Sequence, residues 1–223
     1  MCYYENMKTV YLVRHAESLG NVGPIRQGPD TPLSEKGVKQ AKLLAERFKH
    51  IHVDKVLVSP FLRTKQTAEA IAEVLQKEHE FNDSLIERLR PSKVIGVDKN
   101  HPDSLEVDRV LAENFHDPEF RYSDEETFAD LKRRALSVLD QLSKSDAEHI
   151  LVVTHGVFLR MLAACVVLGE DLNSYEYKKF HSGLAVANTG ITVFKQVMRH
   201  GEEIWCIESW NDSAHLGELS TSE

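Results

Sequence analysis

With 223 residues, 42% of them hydrophobic, the chain has enough apolar content for one globular domain with a substantial core, which excludes a generally disordered chain. A formal net charge of −8 excludes a general nucleic-acid binder, because phosphate backbones select basic surfaces, so any anion site has to be local. Three cysteines, Cys2, Cys165 and Cys206, without short spacing between them exclude a disulfide framework or zinc knuckle.

The opening "MCYYENMKTV" lacks a basic start followed by an apolar segment, so no secretory signal and a cytoplasmic location are expected, with Met7 as an alternative start to Met1. Val10 to Val13 is a continuous apolar run, the pattern of a strand covered on both faces, and it stops at Arg14-His15 before a loop holding Glu17, Ser18, Gly20 and Asn21. Ser34 is placed to cap a helix in which Val38, Ala41, Ala45 and Phe48 recur at spacings of three and four. Val56 to Val58 reads as a second buried strand ending at Ser59-Pro60. It leads to Arg63 in the opening turn of a helix carrying Ala68, Ile71 and Leu75.

Residues 88 to 124 hold three of the seven prolines and several acids, and read as an excursion over the sheet, a partial lid. Phe128, Leu131, Ala135, Val138 and Leu142 then mark the most regular helix, before an apolar strand from Ile150 to Val153 that ends at Thr154-His155-Gly156. The window from Ile150 to Leu168 is about long enough to span a bilayer, but Thr154, His155, Gly156 and Arg160 inside it favour strand, turn and buried helix over a membrane span. "AVANTGITVFKQV" and "EEIWCIESW" read as strands around an Asn188-Thr189-Gly190 turn, forming an antiparallel edge, with residues 212 to 223 as a flexible tail. The whole predicts a single α/β domain: a three-layer α/β/α sandwich with a mostly parallel central sheet, one antiparallel edge strand and a lid insertion.

Ligands of open α/β sheets bind beyond the carboxyl ends of the strands. There the predicted strand ends gather Arg14, His15, Arg63 and His155, and the helix starting at Gly156 adds partial positive charge and free N–H groups. Such a cluster of like charges makes sense around a dianion, and phosphate is the leading candidate. A metal bound by His15, His155 and Glu87 is disfavoured by two arginines in the same place. Neither G-x-x-x-x-G-K-[ST] nor G-x-G-x-x-G occurs, and no cysteine is followed six positions later by arginine.

"LVRHAES…N", "RQGPDTPLSEKG", "SPFLRTKQTAEAI", "LIERL" and "VVTHGVFLR", in that order, resemble the histidine phosphatase superfamily, the phosphoglycerate-mutase-like fold. The resemblance implies that His15 is a transiently phosphorylated nucleophile. It further implies that Arg14, Arg63 and His155 grip the phosphoryl oxygens, that Asn21 lines the pocket, and that Glu87 is the proton donor. Ala16 and Thr64 stand where the family more often has Gly and Ala.

In chemical terms, a neutral His15 imidazole would attack phosphorus with its other nitrogen protonated toward an acceptor, a backbone carbonyl being expected, while Arg14, Arg63 and a charged His155 neutralise the equatorial oxygens. No cofactor, metal, nucleic acid or membrane is expected; the partner is a small phosphorylated substrate, and an edge strand could pair across a homodimer. "ERLRPSKVIGV" has neither a tyrosine nor the pattern of a Tyr-Gly-rich stretch with a lysine that follows the acid glutamate in glycolytic mutases of the family. The expected activity is therefore hydrolysis of a phosphomonoester, with mutase transfer and a non-catalytic phosphate-binding module as alternatives. Arg88, Arg90 and Lys93 lie near enough to Glu87 in sequence to meet a second anionic group, or to form a solvated basic patch.

Overall fold

The structure is a computed structural model in which residues 6–219 are described. Met1, Cys2 and residues 220–223 lie outside them. Four strands run parallel: β1 (Asn6–Arg14), β2 (Lys55–Val58), β3 (Glu80–Phe81) and β4 (His149–Thr154). Two more, β5 (Ile191–Arg199) and β6 (Glu202–Asp212), complete a six-stranded sheet in the order β3-β2-β4-β1-β5-β6. The antiparallel strand is β5, which pairs with β1 and lies one place in from the edge because β6 folds back on it. The reversal between them is made by His200 and Gly201, both at positive φ (54° and 85°), a two-residue hairpin link that follows the sheet's twist. The Asn188-Thr189-Gly190 turn exists, but it introduces β5 instead of joining the two strands, with the Gly190 N–H donating to Ala187 O at 3.0 Å.

Side chains alternate across the pleat, so the apolar runs feed two cores. Val10, Leu12, Ile150 and Val152 pack under the helices α5 (Phe128–Ser143) and α6 (Gly156–Leu168). Val13, Val56, Val58, Leu151 and Val153 pack on the other face under α2 (Glu35–Phe48) and α3 (Leu62–Leu75). This is the three-layer sandwich. The Ser34 side chain caps α2 by accepting from Gly37 N, as the sequence suggests. Val38, however, faces solvent, and Gly37, Gln40 and Leu44 take the buried stripe with Ala41, Ala45 and Phe48. Gly37 is fixed by close approach, since a Cβ there would lie 1.9 Å from the Glu17 carbonyl oxygen.

The window from 150 to 168 divides into β4 and the 13-residue α6; among the described residues no helix is long and apolar enough to cross a membrane. The short helices α1 (Leu19–Val22) and α7 (Ser174–Gly183) flank the strand ends. Residues 88–124 contain a helix that the sequence pattern does not announce, α4 (Pro102–Glu113), whose buried residues are only Ser104 and Val107. This segment is stitched to the loop after α1: Arg26 N donates to Val97 O and Gly96 N to Arg26 O, while Lys99 Nζ reaches the carbonyls of Gly20 and Gly23. Asp108 on α4 accepts from both Arg26 and Arg90.

Residues 212–219 correct the expected flexible tail. Asp212 closes β6, and 214–219 form short 3₁₀ turns against α2, with Leu216 buried and Gln40 Nε2 donating to Leu219 O at 2.8 Å. An apolar Leu216 and a buried amide are what dock this segment.

Candidate active site

Because β1, β2 and β4 are parallel and in register, Arg14 opposite Thr154, they end at one level. The His15 N–H donates to Thr154 O at 2.9 Å and the Ser59 N–H to Val153 O at 3.0 Å, so the residues just past each strand share one wall. Arg14, His15, Arg63 and His155 are all at most 2% exposed. The two imidazole rings are 5.2 Å apart.

Hydrogen-bond chemistry fixes both tautomers. Arg63 has only donors, and its Nε lies 3.1 Å from His15 Nε2, so that nitrogen carries the lone pair. The proton is therefore on His15 Nδ1, which donates to Ala16 O at 2.7 Å. This backbone carbonyl is the acceptor that the nucleophile hypothesis requires. The same guanidinium donates from Nη2 to His155 Nδ1 at 3.1 Å and from Nη1 to Gly28 O at 2.9 Å, which leaves His155 Nε2–H for Ser59 Oγ at 2.8 Å. Arg63 thus spans both histidines, with its guanidinium against the Phe61 ring.

Burial first, then Arg63 and Arg14, hold the His15 imidazole well below its ordinary range; burial, Arg63 and His15 do the same to His155. Both rings are neutral in the free site. The charged His155 expected from sequence is replaced by a neutral ring, because a buried imidazolium beside Arg63 would be repelled. Arg63 itself is lowered to about 10, chiefly by burial, and stays cationic at neutral pH. The fixed positive charge of the clamp is therefore that of Arg14 and Arg63.

Gly156 opens α6 against Arg14: a Cβ there would lie 3.2 Å from Arg14 Nε and 3.5 Å from Cδ and Cζ. Its role in the geometry is to let the guanidinium lie against the helix end. Glu87 sits on that same end, Oε1 accepting from Arg88 N (2.9 Å) and Phe158 N (3.0 Å), and Oε2 from Val157 N (3.2 Å). Two lone pairs of Oε1 are used and one of Oε2, so Oε2 keeps one for a proton or an incoming hydroxyl. Asn21 lines the same cleft, and its Oδ1 also accepts from Ser18 N and Oγ (2.9 and 3.0 Å), closing the turn into α1. Glu17 is a loop organiser, accepting from Ser34 Oγ at 2.8 Å.

Several supports escaped the sequence analysis. Arg14 Nη1 donates to Val186 O at 2.6 Å, Thr189 N to Arg14 O at 2.9 Å, and Asn188 Nδ2 to His15 O at 2.9 Å. The loop before β5 thus cradles the Arg-His pair from about 170 residues away in sequence. Thr67 Oγ1 accepts from Ala16 N at 3.0 Å while donating to Arg63 O at 2.7 Å, tying the two halves of the clamp. Ser59-Pro60 and Asn188-Thr189-Gly190 were visible as punctuation; their contacts were not.

The clamp opens into a cleft of about 1400 Å³ lined by Glu87, Arg63 and Gly28, by the 88–124 segment through Leu89, Arg90 and Phe115, and by α7 through Tyr177 and His181. Among the described residues no three His, Cys, Asp or Glu side chains converge as a metal-ligand group.

A model of the histidine phosphatase superfamily (branch 1) matches residues 10–213. Phosphoserine phosphatase 1 of Hydrogenobacter thermophilus is 32% identical over 181 residues, 76% of this chain and 80% of that protein. A probable phosphoglycerate mutase GpmB of Enterobacter sp. is 32% identical over 219 residues, covering 94% and 95%. A crystal structure of an Entamoeba histolytica phosphoserine phosphatase mutant with phosphoserine superposes with a TM-score of 0.72 at 26% identity, covering 94% of this chain and 100% of that one. A putative α-ribazole-5′-P phosphatase from Escherichia coli has a TM-score of 0.77 at 20% identity, covering 93% and 97%, and speaks to the fold alone.

Proposed function

The chain belongs to the histidine phosphatase superfamily, branch 1, and from that premise we propose that it is a metal-independent phosphatase that hydrolyses a small phosphomonoester through a phosphohistidine on His15. The observation that carries this reading is the lone pair of His15 Nε2, held unprotonated by the Nδ1–H···Ala16 bond and directed at Arg63, which lines the cleft.

The steps follow from the groups present. Nε2 attacks phosphorus in line, forming the N–P bond as the ester P–O bond breaks. Arg14 and Arg63 lie against the equatorial oxygens, whose charge redistributes in the transition state, while neutral His155 holds the Arg63 guanidinium in place by accepting from its Nη2. Glu87 delivers the proton held on Oε2 to the leaving alcohol oxygen, then as carboxylate takes a proton from water as that water attacks phosphorus. The N–P bond breaks, inorganic phosphate leaves, and the lone pair returns to Nε2.

Mutase transfer differs only in the acceptor, a substrate hydroxyl in place of water. The relative named as a probable phosphoglycerate mutase, matched over nearly its whole length, supports keeping it as the second reading. Phosphatase is favoured because the segment from Glu87 to Val97 has no tyrosine and does not follow the Tyr-Gly-rich pattern of the glycolytic mutases the family includes.

The test is phosphate release from p-nitrophenyl phosphate and a panel containing 3-phosphoglycerate, with a chelator present and His15→Ala as the blank. Release that vanishes in the variant supports the proposal. Isomerisation of 3-phosphoglycerate without release, once a bisphosphate primer is added, would replace it with the mutase reading.

A further inference from the structure

Glu87 stands on a stretch of chain that the sheet and helices do not hold, since Ile86 to Pro91 belong to neither strand nor helix. Backbone polar groups there need partners from elsewhere, and side chains supply them on both sides of Glu87. Thr154 Oγ1, at the end of β4, donates to Leu85 O at 2.7 Å. Arg134 Nη1, on α5, donates to Ser84 O and Ile86 O, both at 2.8 Å. Beyond Glu87, Leu89 N donates to Glu126 Oε2 at 3.4 Å, and the Glu126 N–H donates back to Leu89 O at 3.1 Å.

Arg134 and Glu126 are themselves joined. The guanidinium Nε and Nη2 donate to Glu126 Oε1 and Oε2, each at 2.7 Å, a bidentate pair whose side chains are only 15% and 9% exposed. Spacing makes this possible: helical side chains lean toward the N-terminus, so an arginine in the second turn of α5 reaches back past the Thr127 cap to the residue before it. The guanidinium also lies on Phe158, its Cζ 4.1 Å from the ring centroid. Phe158 is the residue whose N–H holds Glu87 Oε1 at 3.0 Å. One arginine thus touches both bodies that Glu87 joins, the 84–89 backbone and the first turn of α6. A pair this buried adds little net stability over apolar side chains of the same size, because desolvation offsets the attraction. What it touches explains it better.

We propose that Arg134 and Glu126 are positioning residues for the proton donor, fixing the backbone on both sides of Glu87 against α6 so that Oε2 meets the ester oxygen of a phosphate held by Arg14 and Arg63. Neither residue lines the cleft, so neither meets substrate. Their opposite charges are paired, so the device sets geometry without placing a net charge behind the acid. The proposal rests on the phosphatase reading with Glu87 as its acid.

The experiment measures kcat and KM for glycerol 3-phosphate and p-nitrophenyl phosphate in Arg134→Gln, Glu87→Gln and the double variant. Because a misplacement of about 1 Å costs up to about a hundredfold, Arg134→Gln is expected to lose about ten- to a hundredfold in kcat on glycerol 3-phosphate, with KM changed less than about threefold. On p-nitrophenyl phosphate, whose leaving group needs no proton, the loss should stay under about threefold. In the Glu87→Gln background the same substitution should cost under about threefold on either substrate, since no proton remains to be placed. Arg134→Gln could fail to fold, so Glu126→Gln, which keeps the side-chain shape, is measured beside it and should show the same dependence on substrate. Equal losses on both substrates, or a loss on glycerol 3-phosphate that is undiminished in the Glu87→Gln background, would overturn the proposal. Amide NMR reads the placement itself: the Val157 and Phe158 N–H resonances, now bonded to Glu87 at 3.2 and 3.0 Å, should move in Glu126→Gln toward their positions in Glu87→Ala. Resonances that stay in place would likewise overturn it. Failure of the phosphatase reading shows separately, as no phosphate release from p-nitrophenyl phosphate by the unsubstituted chain, and leaves the NMR comparison to decide whether the pair positions Glu87.

Discussion

Arg63 is the side chain on which the geometry converges, and its removal gives the sharpest quantitative expectation. Its guanidinium donates to His15, His155 and Gly28 at 2.9–3.1 Å. In Arg63→Ala one positive charge is lost roughly 4 Å from the phosphoryl oxygens. At an effective dielectric near 20 that is about 4 kcal/mol, or close to a thousandfold in kcat/KM. Arg63→Lys keeps the charge but loses the three-way fork, and one charge-assisted hydrogen bond is worth about 1.5–3 kcal/mol, so its loss should lie near ten- to a hundredfold. The pH profile moves as well. After burial, Arg63 is the largest influence holding both His15 and His155 low, so its removal raises both. The attacking His15 must be neutral, and a higher value means that it protonates sooner as pH falls. The acidic limb of kcat/KM for p-nitrophenyl phosphate, followed from pH 4 to 9, should therefore shift upward in Arg63→Ala and less in Arg63→Lys. A loss below about tenfold in the alanine variant, or an acidic limb that stays in place, would refute the assignment of Arg63 as clamp and electrostatic brake.

Three further expectations follow from the same contacts. Glu87→Gln keeps an acceptor for the α6 N–H groups but has no proton to give, so kcat on an alkyl phosphate should fall by about 10²–10⁴. The loss should be much smaller on p-nitrophenyl phosphate, whose leaving group needs no proton; equal losses on both would argue against the acid role. Gly156→Ala adds up to about 1 kcal/mol of helix propensity while pressing a methyl to 3.2 Å from Arg14 Nε, so urea midpoints should change little while kcat/KM falls at least about tenfold; unchanged activity would show that Arg14 needs no such clearance. Buried His15 and His155 take up protons far less readily in the native state than in the unfolded chain. Stability is then full above about pH 6.5 and declines below it by up to about 2.7 kcal/mol per pH unit for the two groups together. Urea unfolding that is flat between pH 7 and 5 would contradict this.

The strands and helices most readable in the sequence are those whose burial is unconditional. Val10 to Val13 and Ile150 to Val153 are covered on both faces, so their apolar runs are continuous, and the regular stripe of α5 is buried along its length. The gathering of Arg14, His15, Arg63 and His155 was legible because parallel strands in register must end together. α4 was not, because a helix with only Ser104 and Val107 buried has no apolar stripe to reveal it. Val38 misled by spacing alone, since Gly37 and Gln40 occupy the buried face where Glu17 comes close. The carbonyl of Val186 and the side chain of Asn188, which brace Arg14 and His15, depend on a contact between the first strand and the approach to the fifth, and no local pattern encodes that meeting. The tail failed for a similar reason: a single Leu216 among polar residues docks through partners on α2.

The central claim is that phosphorus is bonded to His15 Nε2 during turnover. Rapid-quench mass spectrometry of the protein mixed with p-nitrophenyl phosphate, quenched in base to preserve the acid-labile N–P bond, tests it most directly. The account predicts one added phosphoryl group on the peptide carrying His15, formed and lost at rates compatible with steady-state phosphate release and absent in His15→Ala. Full turnover with no phosphoryl group on that peptide, or with the label on another residue, would contradict it.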